Sequence, residues 1–161
     1  MPAIKNKFTL NTVLIFSVFA LITAYFIQYI LNHEPCNLCL IERIPYLAAI
    51  IFISLIFILN KFEKIISLIV GLFFIFGAVI SFYHFGIEQG FFSESLVCDL
   101  TSTNNATSTQ DLLNQLKRET ISCKDVSFRV LGLSLATFNT IISIIISAIM
   151  LKIVINYEKN K

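Results

Sequence analysis

Four long stretches of this chain carry no charged residue: 8–32, 44–60, 65–87 and 130–151. A helix that crosses a bilayer needs about 20 mainly apolar residues, with a range of roughly 17 to 25. All four stretches satisfy that length, the second at its lower edge. Runs such as Leu68-Ile69-Val70 and Ile144-Ile145-Ile146 are apolar on every side, whereas a barrel strand alternates apolar and polar residues. With 57% hydrophobic and 14% charged residues and a mean hydropathy of +0.82, the chain is too apolar for an ordinary water-soluble domain. The prediction is an all-α membrane protein, a four-helix transmembrane bundle with one short and one long periplasmic loop. It forms a single domain over 1–161, with spans of about 9–31, 44–60, 65–87 and 130–151 and outer loops of about 32–43 and 88–129. Lys5 and Lys7 precede the first stretch as they would in a signal peptide. The stretch is longer than an h-region, however, and no small-residue cleavage site follows before His33-Glu34-Pro35, so it reads as a retained anchor.

Charge placement orients the bundle. An even number of spans puts both termini on one side, together with Lys5, Lys7, Lys61, Lys64, Lys152, Lys159 and Lys161 against only Glu63 and Glu158. The other side carries five basic residues against eight acidic ones. The positive-inside rule makes the lysine-rich side cytoplasmic, which predicts a multi-pass protein with both termini cytoplasmic. The second and third spans are joined only by 60–64, which makes them antiparallel neighbours. Small residues four apart, Gly77 with Ser81, Gly132 with Ala136 and Ser143 with Ser147, suit close helix approach.

All four cysteines, Cys36, Cys39, Cys98 and Cys123, fall in the outer loops. Their number and location point to two disulfide-forming pairs in an oxidising compartment. Cys36-Asn37-Leu38-Cys39 closes too small a loop to gain much chain entropy, so redox use is favoured over a staple. The pair precedes a helix, whose N-terminal end favours a thiolate, and Arg43 follows Cys39 by four residues, able to face it if that turn is helical. Pro45 complicates the alignment, since it lacks an N–H and disfavours helix at Ile44. Spacing leaves Cys98 and Cys123 open as either a relay or a staple, the latter contributing about 3 to 4 kcal/mol on the chain-entropy model. A four-cysteine metal site is disfavoured because 98 and 123 do not form a close ligand pair, and no metal is expected.

Other outer-side features have two readings each. His84 and Glu88 are four apart and able to form one unit, or His84 is an interfacial histidine that reaches water, the plainer reading. Tyr29, Tyr46 and Tyr83 near the helix ends form an aromatic belt or line a pocket for a flat apolar ligand; sequence does not separate the two. Asp111 to Glu119 suits a short helix, lying on the membrane or simply solvated, and residues 101–109 form a polar Ser/Thr/Asn-rich segment.

Taken together, Cys36-Asn37-Leu38-Cys39-Leu40-Ile41-Glu42-Arg43, then Tyr83-His84-Phe85-Gly86-Ile87-Glu88-Gln89-Gly90, then Cys123 followed by Leu131-Gly132-Leu133-Ser134-Leu135-Ala136-Thr137-Phe138-Asn139 resemble the bacterial disulfide bond formation protein B (DsbB) family. The likeness runs through essentially the whole chain. It implies a membrane thiol:quinone oxidoreductase that reoxidises a periplasmic DsbA-like, thioredoxin-fold dithiol oxidase and passes its electrons to a membrane quinone, ubiquinone or menaquinone. By the same likeness Cys98 forms the mixed disulfide with the partner and Cys123 is its pair-mate. Cys36 and Cys39 are oxidised by quinone, Cys39 as the thiolate beside the ring, Arg43 stabilises that charge, and His84 lies near the quinone. The segment 101–109 matches no family motif. No nucleic acid partner is implied; membrane lipid surrounds the spans. Two alternatives share four spans. A non-enzymatic tetraspanin-like organiser would cluster its cysteines in the large loop, and a vitamin K epoxide reductase-type oxidoreductase would carry its CxxC near a later helix.

Overall fold

The computed structural model describes residues 2–59, 62–93, 98, 123, 129–130 and 133–159. The polar segment 101–109, the Asp111–Glu119 stretch and Gly132 lie outside the described residues. The described chain forms α1 (Pro2–Tyr29), α2 (Asn37–Ile41), α3 (Ile44–Leu59), α4 (Glu63–Glu88), a two-stranded pair of β1 (Arg129–Val130) and β2 (Leu133–Ser134), and α5 (Leu135–Lys159). Helix α1, the α2–α3 unit, α4 and α5 each supply a stretch long and apolar enough to cross a membrane, at Lys7–Tyr29, Asn37–Leu59, Glu63–Glu88 and Leu135–Asn156. The expected four-helix membrane architecture is what the chain adopts.

Two boundaries differ from the sequence reading. The last helix starts at Leu135 rather than near 130, because Arg129 and Val130 pair antiparallel with Ser134 and Leu133. Ser134 Oγ then accepts the Thr137 N–H at 3.3 Å and caps the helix. The second span starts earlier than Ile44, since Asn37–Ile41 is already helical. The break between α2 and α3 falls at Glu42 and Arg43, where Pro45 has no N–H to return to the carbonyl of Ile41.

Helix α4 packs along α5, while α3 lies against both α1 and α4. Leu10, Val13, Ser17 and Leu21 form the buried stripe of α1, at the three-to-four-residue spacing of one helix face. They meet Tyr46, Ala49, Ile53, Val70, Phe74, Ile146 and Met150 in one core. The outside is as greasy as the inside: Phe19, Ile58, Val79 and Ile144 are all more than half exposed, while Ser17, Ser67, Ser81 and Ser143 are fully buried. That distribution suits hydrocarbon as solvent, where tight packing and interior polar contacts, rather than apolar burial, hold helices together. Two of the small-residue pairs behave as expected. A Cβ at Gly77 would lie 2.8 Å from Pro45 Cγ and 3.6 Å from Ser143 Oγ, so a side chain there would push the start of α3 away from α4. Ser143 and Ser147 are likewise buried on α5.

Helix ends aim the loops. At Asn32 the chain leaves α1 with φ of 52°, a left-handed conformation Asn tolerates better than most residues. Gly90, at φ of 78°, closes α4 while the Phe91 N–H returns to the Gly86 carbonyl at 2.8 Å. The Phe92 ring then folds over Gly86 and stacks on Tyr83 at 5.5 Å, starting the second outer loop against the helix rather than away from it.

Candidate functional site

Cys36 is the N-cap of α2. Its Sγ accepts the Cys39 N–H at 3.2 Å, and its carbonyl accepts the Leu40 N–H at 3.2 Å. A two-residue spacing followed by helix brings the two sulfurs together, and Cys36 and Cys39 form a disulfide with Cα atoms 5.2 Å apart. Cys98 and Cys123 form the second, with Cα atoms 5.9 Å apart. The two are not separate features of two loops. Cys36, Leu38, Ile87, Cys98 and Cys123 are buried in one cluster, with Cys39, Ile41, Ile80 and Tyr83 packed against it.

On its other side Cys36 opens into a cavity of about 400 Å³ between α1, the α2–α3 junction, α4 and α5. Its walls are largely apolar, with Phe16, Phe19, Ile27, Phe138 and Ile142 among them, and its polar lining includes Cys36, Cys39, Glu42, Arg43, His84 and Asn139. An apolar slot with a few convergent polar groups at one end suits a flat lipid-soluble ring bearing hydrogen-bond acceptors.

Glu42 and Arg43, adjacent at the helix break, point to different helices. Arg43 donates to Gln28 Oε1 at 2.7 Å and lies over the Tyr25 ring at 5.2 Å, both on α1. The expectation that Arg43 faces Cys39 through a continuous helical turn therefore needs correction: the turn is interrupted after Ile41, and the guanidinium is held against α1, on the wall of the cavity that Cys39 also lines. Glu42 turns to α4 and α5. Its Oε1 lies 2.7 Å from His84 Nδ1, and its Oε2 accepts from Asn139 Nδ2 at 2.8 Å.

His84 is 4% exposed, so it is not an interfacial histidine reaching water. Its Nε2 lies 3.6 Å from Cys36 Sγ and 3.8 Å from Glu88 Oε1, so positions 84 and 88 face each other on one side of α4. Tyr46 leaves the belt as well. It is buried, edge-on to Phe74 at 5.4 Å, and its hydroxyl donates to Asn139 Oδ1. Tyr29, 69% exposed, keeps a belt-like position.

Cys36 Sγ, Cys39 Sγ and a His84 ring nitrogen lie within 4.8 Å of one another. With the two sulfurs bonded to each other the group offers a metal no thiolate. Sequence reading missed Glu42, Asn139, Ser81 and Gln28 as site residues. The available signal was a carboxamide midway along a largely apolar span, costly to place in a membrane interior without a partner, and a carboxylate directly after the CxxC turn at the edge of the second span.

The fold and site thus define a multi-pass membrane protein whose two disulfides meet in one cluster beside a largely apolar cavity. The family model for disulfide bond formation protein DsbB matches residues 6–153, and the chain belongs to that family. It is also 30% identical over 160 residues to an uncharacterized protein of Rickettsia prowazekii (strain Madrid E), a match covering 97% of this chain and 92% of the relative. No solved structure matches the chain. Family membership makes this a membrane protein of disulfide bond formation.

Proposed function

We propose that the protein reoxidises a periplasmic thioredoxin-fold dithiol oxidase of the DsbA type and delivers the two electrons to a membrane quinone. The observation that carries this reading is the double membership of Cys36, which lines the apolar cavity and also packs against the Cys98–Cys123 pair. Thiol–disulfide exchange requires such proximity, since the attacking sulfur must reach the disulfide it opens. Cys98 takes the partner's thiol, Cys123 is its pair-mate, and exchange between the pairs opens Cys36–Cys39. A quinone supplies the capacity to accept the electrons. The residues placed to hold it are Arg43, whose charge is fixed by Gln28 and Tyr25, and His84, with Cys39 facing the same space. Protein extracted in mild detergent is expected to release a quinone, identified by mass as ubiquinone or menaquinone. Recovery of lipid alone from active, freshly solubilised protein would contradict the assignment of the cavity.

The same reading places the protein in the inner membrane, with both termini in the cytoplasm and the cysteines on the periplasmic face, as the lysine asymmetry requires. After reduction, a membrane-impermeant maleimide added to cells with a permeabilised outer membrane is expected to label the cysteines. Labelling only by a reagent that enters the cytoplasm would reverse the orientation.

A further inference from the structure

Glu42 is 8% exposed, lies within the membrane-length apolar stretch Asn37–Leu59, and has no part in the electron path just described. Each of its oxygens has one partner: His84 Nδ1 on Oε1, Asn139 Nδ2 on Oε2. Asn139 is fixed in turn, since its amide also donates to Ser81 Oγ at 2.6 Å and its carbonyl accepts from Tyr46. The orientation of that amide follows from its contacts, with the NH₂ toward two acceptors and the oxygen toward a hydroxyl. A carboxylate only accepts, so Nδ1 presents its proton to Glu42, and Nε2 is the ring nitrogen that faces Cys36 Sγ, at 3.6 Å, with Glu88 Oε1 3.8 Å away. A nucleophile, a base and a carboxylate that orients the base are the parts of an activated thiol.

We infer that Glu42, anchored by Asn139, is a positioning residue that holds His84 as the proton acceptor for Cys36. The inference rests on the reading that Cys36–Cys39 is the redox-active pair. When that pair is reduced, the S–H bond of Cys36 breaks, its electrons stay on sulfur, and the proton forms an N–H bond at His84 Nε2. The imidazolium and thiolate are then held by the Glu42 charge without any change in redox state. Exchange and reclosure of the pair both need Cys36 as thiolate, and this step supplies it within a low-dielectric site. The other titratable or charged groups around the imidazole are Glu88 on its own helix and, across the cavity, Arg43, Tyr46, His33 and Glu34.

The test is a pH titration of Cys36 in the full chain with Cys39, Cys98 and Cys123 replaced by alanine, free of quinone and partner. Thiolate is read from its ultraviolet absorbance and from iodoacetamide alkylation. Glu42→Gln is expected to move the titration upward by about one pH unit or more, tenfold in thiolate at a fixed pH below the midpoint. His84→Ala is expected to do at least as much, and Glu42→Gln added to it to do nothing further. Glu42→Asp restores part of the shift by restoring the charge. Asn139→Leu, which leaves the carboxylate in place, gives a smaller shift in the same direction, and decides the matter if Glu42→Gln does not fold. An unchanged titration in folded Glu42→Gln or Asn139→Leu would overturn the inference, as would shifts from Glu42→Gln and His84→Ala that simply add. Quinone binding and partner oxidation are absent from this measurement, so their failure elsewhere leaves it standing, and its failure leaves them standing.

Discussion

Cys123→Ala is expected to halt turnover and to accumulate a mixed disulfide between Cys98 and the soluble thioredoxin-fold partner. Cys98 and Cys123 are bonded to each other in the resting chain. In the proposed relay, attack by the partner's thiolate on Cys98 releases Cys123 as the thiol that carries exchange onward. Cys98 and Cys123 are both buried in one cluster with Cys36, which brings the pair to the inner disulfide, and in the proposed relay Cys123 is the member that attacks it. Removing its sulfur leaves Cys98 a thiol whose thiolate captures oxidised partner by opening the partner's own disulfide, with one partner sulfur bonded to Cys98 and the other released as a thiol, and no Cys123 thiol remains to displace the partner. The loss should exceed about a thousandfold, because residues that act in series cannot substitute for one another. Non-reducing gels with partner present show the adduct. Its absence, with partner still oxidised at the normal rate, would make the second pair a staple instead of a relay.

Arg43→Ala is expected to weaken quinone-dependent turnover by about 10- to 100-fold, the scale of losing one hydrogen-bonded charge in a partly buried site. The guanidinium is held at the cavity wall by Gln28 and by the Tyr25 ring. Its removal takes away the positive charge nearest in sequence to Cys39 and the planar donor fork aimed along the wall. Arg43→Lys should keep part of the rate, since charge survives while the fork and the stacking surface do not. Exchange between the partner and Cys98 should proceed unchanged in both variants. Steady-state rates across quinone concentrations, set beside the stopped-flow rate of partner exchange, separate the two steps. Unchanged quinone kinetics in Arg43→Ala would leave the helix end that Cys36 caps as the source of thiolate stabilisation at this pair.

The elements that sequence made plain are those where hydrocarbon imposes a length. Four apolar stretches became four helices because each is long enough to span a bilayer. Their faces were not readable in the same way. When every side of a helix is apolar, no periodic stripe marks the core, and so Tyr46 could be placed equally well in a belt or a wall. Start points moved where a few residues of other structure intervened, at the β1–β2 pair before Leu135 and at the helical turn before Ile44. The cysteine pairing was legible from loop positions, but the meeting of both pairs around His84 was not, since it depends on packing between residues as far apart as Cys36 and Cys123. Glu42 was counted as one outer-side acid among eight. Only the fold reveals that its partners stand 42 and 97 residues along the chain.

In the proposed function, the cavity beside Cys36 and Cys39 joins the Cys98–Cys123 pair to a lipid-soluble electron acceptor. Its most direct test mixes the purified protein with an excess of reduced partner and a short-chain quinone without oxygen, following partner thiols and quinone absorbance together. One quinone is expected to be reduced for each partner dithiol oxidised, with both signals lost together in Cys36→Ala. Partner oxidation that proceeds while the quinone signal stays constant would contradict it.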